Sequence, residues 1–154
     1  MDPQAFTGTQ LYVATFLYAL ASGLIPVVNI EIYLLAVATL TKGAPLPILL
    51  LVTAGQMIAK YILYLSGRGL IRMPPGRIQG KVQKAKDALE SHPRGASSVV
   101  LFSAITGLPP FYGMSLAAGA LAMPLPRFLL PATFGRLLRF SLVFFAPQLL
   151  HLRF

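Results

Sequence analysis

Glu31 is the only acidic residue in the apolar tracts of this chain. A carboxylate at such depth is costly to desolvate, so it must be paired, protonated or turned toward a wet cavity. The cations able to meet it are Arg136 and Arg139, three residues apart and therefore on one helical face. A guanidinium keeps its charge on burial and offers a planar fork to a carboxylate or a phosphate. Arg127 lies near the start of the same apolar segment and can snorkel to an interface. Arg139 lies roughly 20 Å along a helix rising 1.5 Å per residue, out of easy reach of that interface. The resulting chemistry is proton uptake at Glu31 and anion binding at Arg136 and Arg139. The plainer duties are helix capping by Glu31 or Asn29 and snorkelling by Arg136.

A second set of residues shapes a cavity or a chain break. Pro26 interrupts the first apolar tract, and Gly107, Pro109 and Pro110 interrupt a later one. Gln56 and Lys60 stand one helical turn apart. Lys60 is also close enough to the end of its segment to reach an interface. Tyr112 follows the second break and is a cavity candidate. Ser115 and Gly119 form a small-xxx-small pair whose expected duty is close helix packing. No catalytic constellation is present in the sequence: a single carboxylate is not an acid–base pair, and Ser115 has no neighbouring His. Two His and no Cys exclude disulfides and a His cluster, and there is no phosphate-cradling Gly loop. We therefore expect no enzyme activity, metal or cofactor.

The elements that position these residues must lie in a bilayer. Of the 154 residues, 56% are apolar and 11% charged, against about 25% charged in soluble domains. The N-terminus has no basic region before its apolar run, so a cleaved signal peptide is not expected. The net charge of +9 points to anionic lipid rather than nucleic acid, because the aromatic residues sit in the apolar tracts and not among the basic ones.

Leu11–Gly23 and Ile30–Leu40 are each shorter than the ~20 residues that cross a hydrocarbon core. Joined by a Pro-containing turn, they predict a re-entrant hairpin over 11–41, sheltered by protein or a wet cavity. A kinked helix or an ordinary hairpin is the simpler alternative. A span over 45–66 follows, opened by Pro45 and Pro47 and stopped by Gly67, Gly69 and Pro74. Residues 67–95 form a basic linker. Between Arg68 and Arg94, seven cations face two carboxylates, a net charge of +5. Ile78, Val82, Ala85 and Leu89 recur there at helical spacing, which predicts an amphipathic surface helix presenting Arg77, Lys81, Lys84 and Lys86 to lipid headgroups. The positive-inside rule places this linker in the cytoplasm.

The pattern then returns as a hairpin over 97–123 and a span over 125–150. Gly23 matches Gly107 and Pro26 matches Pro110 at an offset of 84; Thr53 and Gly55 match Thr133 and Gly135 at an offset of 80. Counting crossings makes the two units, 1–66 and 96–154, inverted within a single membrane domain. The predicted fold is thus an all-α integral membrane protein of two inverted repeats. Each repeat is a re-entrant helical hairpin plus a transmembrane helix, and the two are joined by a basic amphipathic cytoplasmic helix. Inverted repeats with interrupted helices are common in secondary transporters.

Gly23 to Pro26 with Glu31, the mirrored Gly107-Leu108-Pro109-Pro110, and Gly135-Arg136-Leu137-Leu138-Arg139-Phe140 resemble the DedA/VTT superfamily. The length is similar to its short YqaA-like branch. The resemblance covers about Leu11 to Ala146. It implies transport or scrambling of phospholipids or polyprenyl-phosphate lipids, often linked to the proton gradient. It also implies an acidic residue in the first hairpin and Arg residues in the later membrane segment, roles that fall here on Glu31, Arg136 and Arg139. A prokaryotic cell (inner) membrane and a homodimer are the matching expectations. Two other jobs fit the same architecture: a non-transporting protein that organises lipids or a partner complex, and a small-solute exporter.

Overall fold

A computed structural model describes residues 8–40, 45–70, 87 and 91–151. Its elements, in chain order, are the helices α1 (Thr9–Leu24), α2 (Ile30–Leu40), α3 (Pro45–Leu70), α4 (Pro93–Thr106), α5 (Phe111–Ala120) and α6 (Leu125–His151). No strand occurs among the described residues. Two helices are long and apolar enough to cross a membrane, over Pro45–Gly69 and Leu125–Leu150, while α2 is apolar but shorter.

The breaks between helices follow from local chemistry. After Leu24 the backbone becomes extended at Ile25 (φ −106°, ψ 110°), next to a Pro that has no N–H to continue a helix. Asn29 restarts the chain: its Oδ1 accepts from the Glu31 backbone N–H at 2.8 Å, satisfying a donor that the first turn of α2 leaves open. At the second break Gly107 takes φ 77° as the left-handed C-cap of α4, a conformation that disfavours a Cβ. Its N–H donates to the Ser103 carbonyl at 2.8 Å. The Ser103 hydroxyl donates in turn to the Pro109 carbonyl at 2.6 Å, just past the cis Leu108–Pro109 peptide. Pro45 and Pro47 occupy the first turn of α3. Pro131 lies inside α6 and offers no N–H to the Arg127 carbonyl one turn earlier. The Ser97 hydroxyl of α4 donates to that carbonyl at 3.3 Å.

Several boundaries differ from the sequence expectation. The first span runs to Leu70 rather than stopping near 66, so Gly67 and Gly69 do not end it. Gly67 is buried, and a Cβ there would collide with the Leu116 carbonyl; backbone packing overrides the weak helix preference of glycine. Helix α4 starts at Pro93, inside the expected linker. Helix α5 ends at Ala120, before the expected 123, where Ala122 adopts a left-handed φ of 51°. The expected basic surface helix, with Arg77, Lys81, Lys84 and Lys86, lies outside the described residues.

The chain divides into two compact units: Met1–Ala59 with Leu137–Phe154, and Lys60–Arg136. Each unit contains one interrupted helix pair and one half of each long helix. In the first unit the core is built on Ala19, Leu34, Ile48, Val52 and Phe140. Tyr18 and Tyr33 stack at 4.5 Å between α1 and α2, and Thr15 shares a 2.8 Å hydrogen bond with the Tyr33 hydroxyl. Gly55 of α3 packs so closely on α1 that a Cβ would lie 2.9 Å from both the Ala19 Cβ and the Phe16 carbonyl oxygen. In the second unit Gly135 of α6 approaches α4 in the same manner, 2.7 Å from the Ala104 Cβ on the same measure. Tyr64 is fully buried, donates its hydroxyl to the Met123 carbonyl and stacks on Phe128 at 5.3 Å.

Candidate functional site

Each unit holds its own group of charged side chains. In the first unit, Glu31 sits in the first turn of α2, where the positive end of the helix dipole favours a carboxylate. Arg139, from α6, reaches it. Its Nε donates to Oε1 at 2.6 Å, and Nη2 contacts the same oxygen. Both nitrogens thus reach the same carboxylate oxygen. The pair is not sealed: the side chains of Arg139 and Glu31 are 23% and 30% exposed. The cluster has no net charge and can be reached from outside.

The second unit holds Lys60 and Arg136. Lys60 is only 4% exposed. Its Nζ lies 5.6 Å from the centroid of the Tyr112 ring, and the Arg136 guanidinium lies 4.6 Å from that of Phe111. Both rings belong to the first turn of α5, directly after the Gly107–Pro110 break. Lys60 and Arg136 thus lie over neighbouring rings of one helical turn. Phe111 stacks on Phe128 at 6.1 Å, so the aromatic floor of this cluster continues into the core of its unit. Cation–ring contacts of this kind stabilise by about 0.5–2 kcal/mol, depending on desolvation.

A family model for the VTT domain matches residues 25–149. The chain belongs to the VTT domain family. No curated protein and no solved structure matches it significantly. The VTT domain match begins at the break that follows α1 and takes in Glu31, Lys60, Arg136 and Arg139. Together with the two membrane-capable helices, it makes this an all-helical membrane protein.

The remaining candidates of this VTT domain protein fall into place as follows. Gln56 makes contacts within its own unit. It belongs to the first unit, is buried, and donates to the Ser22 hydroxyl at 2.6 Å and the Ala19 carbonyl at 3.1 Å. It is a polar tie between α3 and the end of α1. Pro26 is exposed at its turn. Gly107, Pro109 and Pro110 shape the second turn, and Tyr112 stands in the cation cluster. Ser115 is buried and donates to the Phe111 carbonyl within α5. Sequence reading missed the Thr15–Tyr33 contact and the Tyr64–Phe128–Phe111 stack. Tyr64 and Phe128 are 64 residues apart in the chain, and helical periodicity alone does not identify such partners.

Proposed function

We propose that this protein moves phosphate-bearing lipid, a phospholipid or a polyprenyl phosphate, across the membrane with proton coupling at Glu31. The observation that carries this reading is the Glu31–Arg139 pair, held between apolar helices of a VTT domain chain yet open on one side. Replacing a buried ion pair by apolar residues is often neutral or stabilising, so such a pair is weak as a purely stabilising device. As a functional device it has a simple cycle. Protonation of Glu31 weakens its hold on Arg139. The freed guanidinium then takes a lipid phosphate, and deprotonation of Glu31 displaces that phosphate again.

The architecture that serves this cycle is a pair of inverted repeats with re-entrant hairpins. The parallel approaches of Gly55 to α1 and of Gly135 to α4 support it, because two residues matched at a sequence offset of 80 make equivalent contacts within their own units. Exposed Leu130, Phe134, Leu138 and Leu142 recur every four residues along α6, as expected of a helix side that faces lipid. In this reading the basic linker lies in the cytoplasm.

Headgroup-labelled lipid flux in proteoliposomes across a pH series is the test. Glu31→Gln keeps the side-chain size but fixes the neutral state, and it should abolish pH-dependent flux in a protein that still folds. Wild-type flux that Glu31→Gln leaves unchanged defeats the proton-coupling role. One observation favours a non-transporting reading: Glu31 also ties α2 to α6 through Arg139. Absence of flux from folded wild type, across several phosphate lipids and pH gradients, would decide for that reading.

A further inference from the structure

We infer that Tyr33, clamped by Tyr18 and Thr15 of α1, is a positioning residue that sets the rotation of α2 and so aims Glu31 at Arg139. All five residues belong to the first unit. The buried stripe of α2 runs through Ile30, Leu34 and Val37. At 3.6 residues per turn, Glu31 and Tyr33 lie about 200° apart around the helix axis, so they flank that stripe on opposite edges. One edge meets Arg139 of α6 through the ion pair. The other edge meets α1. There the Tyr33 ring stacks on Tyr18 at 4.5 Å with 17° between the planes, and its hydroxyl shares a 2.8 Å hydrogen bond with Thr15. Thr15 is fully buried, and it stands three residues from Tyr18 on one face of α1. The helix is therefore held on both sides, by an aromatic contact on one and by a charge pair on the other.

The clamp supplies what the rest of α2 lacks. Asn29 accepts from the Glu31 N–H at 2.8 Å, but that bond lies within one turn of chain. It fixes where the helix begins and not how the helix is rolled against its neighbours. Rolling matters at this site. At a side-chain radius of about 5–6 Å, a roll of about 20° carries the carboxylate roughly 2 Å sideways. That displacement takes Oε1 out of hydrogen-bond range of the Arg139 Nε, which stands 2.6 Å away. A ring stack and a hydroxyl bond both have preferred directions, so Tyr33 resists the roll, whereas an aliphatic side chain of similar burial would not. It follows that α2 is a fixed wall, and that release of the pair is a movement of the Arg139 side chain. For lipid movement this rests on the transport reading; for the ion pair it stands without it.

The test is the coupling between Glu31 and Arg139, read with and without the clamp. Melting of the full-length protein in one detergent is measured for wild type, Glu31→Gln, Arg139→Gln and the double variant, and again for the same four carrying Tyr33→Leu. In the first set the two single losses should exceed the double loss by about 4–8 °C. In the Tyr33→Leu set this excess should fall to less than half. A side chain that only fills space would lower all four midpoints together and leave the excess unchanged, and that outcome in folded protein overturns the inference. Tyr33→Phe assigns the cause, because it keeps the ring and loses the Thr15 bond: retained coupling points to the stack, lost coupling to the hydroxyl. If Tyr33→Leu does not fold, Tyr18→Leu removes the stack from the α1 side and is judged by the same criterion. Additive losses already in the first set would also overturn the inference, since no pair would then be aimed. In the flux assay Tyr33→Leu should lose pH-dependent flux together with the coupling. Coupling that falls as expected in a protein without flux leaves the inference standing and defeats the transport reading alone.

Discussion

Removing either member of the Glu31–Arg139 pair should cost stability, and removing both should cost less than the sum. Arg139→Gln leaves the Glu31 carboxylate in the first turn of α2 without the two N–H contacts on its Oε1. Breaking a fully buried pair in this way costs about 3–5 kcal/mol, whereas an exposed pair contributes about 0.2–1 kcal/mol. At 23% and 30% exposure the pair lies between these limits, so each single Gln substitution should destabilise by about 2 kcal/mol. In the double variant neither charge is stranded, and the remaining loss should be about 2 kcal/mol rather than about 4, a coupling near 2 kcal/mol. For a chain of this length each kilocalorie corresponds to about 2–4 °C in midpoint. Single variants should therefore melt roughly 4–8 °C below wild type, and the double variant close to either single. Reversible unfolding in one detergent, read by circular dichroism for all four proteins, completes the cycle. Losses that add to within about 0.5 kcal/mol would refute the reasoning, because independent sites behave that way.

Three further outcomes follow from the packing and the charge distribution. Gly119→Ala should destabilise by up to about 3 kcal/mol, since its Cβ would run into the Tyr64 carbonyl, whereas Gly113→Ala, with nothing within 4 Å, should stabilise by about 0.5–1 kcal/mol; equal melting shifts for the two would contradict the close α3–α5 approach. Gln56→Leu should cost about 1–2 kcal/mol, because it deletes both bonds that tie α3 to Ser22 and Ala19, and a urea titration of both variants should show Ser22→Ala to be milder, since Gln56 keeps the Ala19 carbonyl. For topology, Cys introduced at Gly80 should resist an impermeant thiol reagent in intact cells while Cys at Gly43 reacts, as expected when the basic segment is cytoplasmic; the opposite labelling pattern would invert the proposed orientation.

Much of the helical plan is determined by local chemistry and so is legible in the sequence. Pro26 and the Gly107-Leu108-Pro109-Pro110 run mark the two breaks because they remove donors or require a left-handed backbone, and the structure breaks there. Pro45 and Pro47 open α3 for the same reason. The oddity of Glu31 was also visible, since desolvating a carboxylate is costly in any fold. Tertiary packing decided what these groups meet. Arg136 and Arg139 are equivalent by helical spacing, but Arg139 joins Glu31, while Arg136 lies over the Phe111 ring. Gln56 and Lys60 part in the same way, one tying α1 and the other resting over Tyr112. Periodicity fixes which side of one helix a residue occupies, but not which helix packs there. Gly67 shows the same limit: a residue read as a helix stop stays helical because the Leu116 carbonyl comes too close to its Cα for any side chain. That contact spans 49 residues of sequence, and only the packed helices bring its two ends together.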